Sequence, residues 1–274
     1  SISALETVLE DHEIETVVIG MGFFVLQQDS IEKAELTFEH AKARQKGGIG
    51  GIYEGIRYML DEEVIGTEKS IQYLFPWLYN QQEISWEFIS ENISKKIENW
   101  KNPVNQNTVK SKKGYRSYIG VVDYESAWEI NSYEYYNQEL DSELTAEFEK
   151  LLRLCAEHEV DVVVIQTPHP SFDVVSCYES YAENEAFVTD LCAKYGADYY
   201  NFSLAKPELF EAKPEYFYDF EHLNEDGTKV FSESLCRFLE RRAAGEKLQS
   251  GFYSVEEYFV LHEELLEEWK EERK

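Results

Sequence analysis

Basic residues are scarce in this sequence: Lys and Arg total 26 against 54 Asp and Glu, leaving a formal charge of −28. A surface of that sign repels phosphate backbones and anionic headgroups over about a Debye length, which argues against nucleic acid as a partner. At low salt the protein should pass through heparin or DNA resin unretained. Binding that weakens with added salt would instead show that the five cations of "KNPVNQNTVKSKKGYRS" at 101–117 form a working site. Long apolar runs are missing too. The longest, "TVVIGMGFFVL" at 16–26, has 11 residues, about half of what a membrane-spanning helix needs. No basic region precedes it, so it reads as a buried strand and not a signal peptide, and no transmembrane segment is expected. Cysteine is limited to Cys155, Cys177, Cys192 and Cys236, with no C-x-x-C pair. Three of the four fall in helical patterns, where Cys usually serves as a small buried hydrophobe. The glycines of "GGIGG" at 47–51 lack the lysine and preceding strand of a phosphate loop, and His262 beside Glu263 lacks the second His of a zinc helix. No cofactor and no metal are expected.

What is present describes a globular chain. Its 274 residues are 43% hydrophobic and 15% aromatic, with 19 Tyr and 16 Phe, enough to bury a sizeable core as one domain with an insertion. Residues 3–12 pattern as a short helix, and "IETVVIGMGF" as a strand buried on both faces, because its apolar run is continuous and β-branched. The same signature returns later. "LTAEFEKLLRLCAEHEV" is an amphipathic helix, "DVVVIQTP" a buried strand, "ESYAENEAFVTDLCAKYG" a helix closed by Gly196, and "ADYYNF" a third strand. Helices alternating with buried strands imply an α/β fold with a parallel sheet. Between about 31 and 112 the pattern becomes helical without strands, a helical insertion. Residues 253–273 read as an extra C-terminal helix, with apolar positions 255, 258, 259, 265, 266 and 269 on one face to dock on the body or on a partner.

The stretch "YFYDFEHLNEDG" at 216–227 places Asp219 and His222 three apart, just before a helix. Asn224 suits the N-cap, and Glu225 and Asp226 suit the first turn against the helix dipole. In an open parallel sheet ligands bind at the carboxyl ends of the strands, where such loops converge. The pair fits general-base activation of a hydroxyl, with the carboxylate fixing the imidazole tautomer. It fits equally a hydrogen bond that closes the loop.

The run "YFYDFEHLNEDGTKVFSESL" resembles the final block of the SGNH/GDSL hydrolase superfamily, Asp-x-x-His followed by Leu-Asn-x-x-Gly and a helix. "SALETVLEDHEIETVVIGMGFFVL" is similar to the helix and strand after that family's second block, and "CAEHEVDVVVIQTPHPSF" to its penultimate strand and loop. The resemblance covers residues 1–30 and about 113–242, and is nearest to bacterial membrane-anchored members found around cell-surface polysaccharide modification. It implies a flavodoxin-like three-layer sandwich, ester hydrolysis or acyl transfer on acylated carbohydrate, and Asp219 and His222 as the base dyad. The family's first strand and its Gly-Asp-Ser nucleophile lie upstream of the segment matched by residues 1–26, and "GMGFF" offers no Asn as an oxyanion donor. Ser1 and Ser3 begin a helix instead of following a strand, so neither stands in a nucleophile's context. Two readings stay open. One is a fragment of an extracytoplasmic or membrane-anchored enzyme. The other is a complete, cytoplasmic, catalytically inactive protein that binds glycans or serves assembly.

Two further features concern substrate. His169, between two prolines in "TPHPSFD", stands at a strand end, where it can contact substrate or simply be solvated. The Tyr-rich segments "YNQQEISW" and "INSYEYYNQ" can stack on sugar rings or fill half-buried core positions.

Overall fold

The computed structural model describes residues 2–22, 26, 53, 118–122, 139–219 and 222–272. The chain divides into two compact units, Ser1–Ile14 with Asp29–Asn107, and Glu15–Gln28 with Thr108–Lys274. Apart from Tyr53, the expected helical insertion at 31–112 lies outside the described residues, as do "GGIGG" and both Tyr-rich segments. In the first unit helix α1 spans Ile2–Asp11, with Ile2, Leu5 and Leu9 at helical spacing.

The second unit is a mixed α/β body on a three-stranded parallel sheet, in the order β1 (Thr16–Met21), β2 (Asp161–Gln166) and β3 (Asp198–Asn201). Thr16 stands opposite Asp161, and Val163 opposite Asp198. Strand β2 is buried along Val162–Gln166, as its unbroken apolar run predicts. Strand β1 departs from expectation. Thr16, Val18 and Gly20 are exposed, Val18 by 44%, while Val17, Ile19 and Met21 are covered to differing degrees, so only one face is sheltered. The apolar run had no way to tell a strand with two covered faces from a strand with one.

Helices α2 (Ser142–Glu157), α3 (Ser171–Ser176) and α4 (Tyr178–Lys194) surround β2 in sequence, and α5 (Glu225–Ala243) follows β3. Their ends are chemically marked. The Asp141 carboxylate accepts from Leu144 N–H at the start of α2. Gly196, at φ +70°, closes α4 while Ala197 N–H returns to the Cys192 carbonyl. Val163 and Ile165 of β2 pack with Phe231 and Phe238 of α5, and with Tyr200, Phe202, Phe210, Leu248 and Phe252. Phe202 meets the rings of Phe231, Phe238 and Phe252 edge-on at 5.2–5.4 Å, the geometry that aromatic quadrupoles favour. Side chains alternate across a strand, so the equally buried Val162 and Val164 face the other side, and β2 is covered on both faces.

Where the pattern at 253–273 predicts one helix, the described residues form two, α6 (Val255–Leu261) and α7 (Glu263–Glu272). His262 leaves helical geometry at φ −109°, yet its N–H still reaches the Tyr258 carbonyl, so the junction is a bend. The bend lets Tyr258 enter a cluster with Val174, Cys177, Tyr181 and Leu204 while Trp269 meets Tyr178 edge-on. All four cysteines are free. Cys155, Cys177 and Cys192 are buried, and burial pushes the Cys192 thiol up to about 12. Cys236 corrects the expectation of burial, since it lies on the exposed side of α5.

Helix α5 runs back against the strands. At its far end Arg242 donates two hydrogen bonds to Asp161 and one to Asp198, each 2.7 Å, at the amino ends of β2 and β3. The Arg242 bond lowers the Asp161 pKa, with partial burial opposing it. A carboxylate depressed in the folded state adds stability above its unfolded pKa of about 3.9 and loses it as pH falls through the folded value. Arg242→Met should therefore cost about 1 kcal/mol at pH 7, a figure kept small because both aspartates are part-exposed. In urea titrations the gap between wild type and variant should begin to narrow below about pH 4 and close only as pH falls through the lower folded value. A gap of unchanged size from pH 7 down to about pH 2 would rule out the ionic origin.

Candidate functional site

The loop joining β3 to α5 is drawn tight around its acid and imidazole. Phe217 bridges Leu223, and Tyr218 N–H donates to the His222 carbonyl at 2.8 Å, so residues 217–218 lie against 222–223. Inside that turn the Asp219 carboxylate accepts from His222 N–H at 2.7 Å and stands 3.0 Å from ring Nδ1 through each oxygen. With Nδ1–H donating to the carboxylate, the basic lone pair is on Nε2, the tautomer that general-base catalysis requires. His222 is 45% exposed and Asp219 36%, so the imidazole is open to solvent.

Asn224 anchors the loop from below and is buried. Its Oδ1 accepts from Gly227 N–H, making it the N-cap of α5, and its amide donates to the carbonyls of Gly120 and Glu215 at 2.8 and 2.7 Å. The segment 118–122 is held alongside by Glu225 N–H to the Tyr118 carbonyl and Val122 N–H to the Phe217 carbonyl, both 2.9 Å. The Tyr118 ring then lies 4.7 Å from the His222 ring and 5.0 Å from Tyr218, measured between centroids.

His169 follows β2 and is not a solvated side chain, being 3% exposed. Its N–H donates to Ser203 Oγ, and its Nδ1 lies 2.7 Å from Asp173 Oδ2, four residues on in α3. Asp173 is 2% exposed, and its second oxygen has no hydrogen-bond partner. Burial raises the Asp173 pKa, the contact with His169 offsets part of that rise, and the charge of Asp219 adds to it. Of the two acid–imidazole pairs, one is exposed and one buried. The gap lined by Gln166, His169, Asp173, Cys177, Tyr181 and Ser203 has no room for a water molecule. An ionised carboxylate with one unbonded oxygen is costly there, which is the physical cause of the raised Asp173 pKa.

Beside that gap a second polar network ties β2 and β3 to α4. Asn201 donates to Tyr181 and Glu185, and the Tyr199 hydroxyl, with one proton to give, lies 2.9 Å from Gln166 Oε1 and 2.8 Å from Glu185 Oε2. The Glu185 carboxyl is turned inward, and burial raises its pKa. Cys177 and Ser203 lie deep, the thiol driven well above its usual range by burial and Ser203 Oγ donating to the Thr167 carbonyl. Neither is disposed as a nucleophile for His222. Among the described residues no cluster of three His, Cys, Asp or Glu could hold a metal ion. No described helix is long and apolar enough to cross a membrane.

Of the residues that the sequence singles out, Asp219 and His222 are joined, and His169 is buried and paired instead to Asp173. Sequence reasoning missed Asp173, although "HPSFD" carries the i, i+4 signal of one helical turn. It also missed Tyr118, for which no local signal exists. No family model matches the chain, and neither a curated protein nor a solved structure matches it.

Proposed function

We propose that the protein is an SGNH-type esterase or acyltransferase acting on acylated cell-surface carbohydrate, with Asp219 and His222 as its base dyad. The observation that supports it best is the two-oxygen contact of Asp219 with His222 Nδ1. That contact makes Nε2 the basic nitrogen of a half-exposed imidazole. In the proposed reaction Nε2 takes the proton of an attacking serine hydroxyl and returns it to the departing alcohol, while Asp219 stabilises the imidazolium between the two steps. The reading also requires a serine nucleophile, and none is visible in this chain. The reading carries with it a flavodoxin-like SGNH fold and an extracytoplasmic or membrane-anchored setting.

A second reading is a glycan-binding protein that keeps the scaffold without turnover. The Tyr118 ring packed against His222 favours it, because a covered imidazole face suits a fixed platform. Hydrolysis of p-nitrophenyl acetate and of an acetylated oligosaccharide decides between them. Turnover by wild type that is lost in His222→Ala supports the enzyme, whereas wild-type turnover at the level of buffer rejects it.

A further inference from the structure

Beside the dyad the surface turns aromatic and apolar. Tyr218 is 41% exposed and stacks on Tyr118 at 5.0 Å with 30° between the rings, and Tyr118 in turn meets the His222 ring. Ile119 and Val121 are exposed by 62% and 61%. Three of the bonds already described, from Glu225, Val122 and Asn224 to and from the 118–122 backbone, fix this strip against the dyad loop. It is a built feature, continuous with the reacting group. Exposures of this size describe an open shelf. A fatty acyl chain gains about 0.8 kcal/mol per CH₂ only when it is enclosed, so a flat shelf serves it poorly. A sugar ring needs one flat apolar contact for its C–H face and polar groups around the rim for its hydroxyls. The Asp219 carboxylate supplies acceptors at that rim, and the charge of −28 disfavours anionic sugars.

We infer that the Tyr118–Tyr218 shelf is the sugar subsite of the His222 site, where an uncharged or cationic pyranoside stacks on Tyr218 with its substituent directed toward the imidazole. The inference deepens the proposed function and takes the reaction from it, but binding can be measured by itself. The full chain is titrated by calorimetry with chitotriose, its cationic de-N-acetylated trimer, trigalacturonate and decanoate. Saturation-transfer NMR on the tyrosine rings follows the same samples. Chitotriose or its cationic form should bind wild type and take up saturation from tyrosine. Tyr218→Phe should stay within twofold, and Tyr218→Leu, which keeps apolar area and loses the flat ring, should bind at least fivefold more weakly. Trigalacturonate and decanoate should not bind. Equal affinity in Tyr218→Leu, binding of decanoate alone, or no binding of either neutral or cationic trimer overturns the subsite. Ring saturation in wild type reads the contact without a variant, so a misfolded Tyr218→Leu does not shield the idea. Tyr218-dependent binding without wild-type turnover removes the hydrolase and keeps the shelf. Turnover with Tyr218-independent binding does the reverse.

Discussion

Alanine at position 227 should destabilise the protein by about 3 kcal/mol or more, against the usual rule for helices. A glycine inside a helix normally costs roughly 1 kcal/mol relative to alanine, so Gly→Ala ordinarily stabilises. Here the added methyl would overlap the carbonyl oxygen of Tyr216 and lie 2.7 Å from the Tyr216 Cβ. Those atoms have little freedom to yield. The Tyr216 carbonyl is already bound by Asn224 N–H, and Asn224 is fixed to Gly120 and Glu215. Relief would push the 3₁₀ turn Pro214–Tyr216 off the first turn of α5 and carry the Asp219–His222 loop with it. Urea unfolding should show a lower midpoint at unchanged slope. A stability within 0.5 kcal/mol of wild type, or above it, would mean that the close approach is not real.

The second large effect concerns turnover, and follows from the proposed enzyme. His222→Ala should lower kcat about 10³-fold or more, and Asp219→Asn by a similar order, because an amide in place of the carboxylate no longer selects the Nδ1–H tautomer. The double variant should be no worse than the poorer single one, since the pair acts as a unit and its losses do not add. Losses that multiply would indicate two independent roles. Unchanged turnover in Asp219→Asn would leave the contact as a fastening of the loop and nothing more.

Much of this was legible in local sequence. The continuous Val-Val-Val-Ile of β2, the Gly196 stop, and Asn224 followed by two acids each act within a few residues, and each element stands where those signals put it. The Asp219–His222 contact was legible for the same reason, as its partners are three residues apart. What escaped depends on distant chain. Asn224 reaches Gly120 across 104 residues, and Tyr118 covers His222 across a similar interval. No periodicity encodes such a meeting. The one-sided exposure of β1 and the open position of Cys236 depend likewise on which neighbours pack nearby, a property of the assembled body.

The pairing of β1 with β2 also sets an order of events during synthesis. The two strands meet across 145 residues, as Thr16 and Asp161 show. At about 5–20 residues per second, β1 is made roughly 7 to 30 seconds before its partner. A β-branched, apolar segment is then a free template for other chains over that interval. Such a nascent strand is a natural client for holding chaperones. Once β2 emerges, closing so long a loop delays the sheet further, so folding should be late and cooperative.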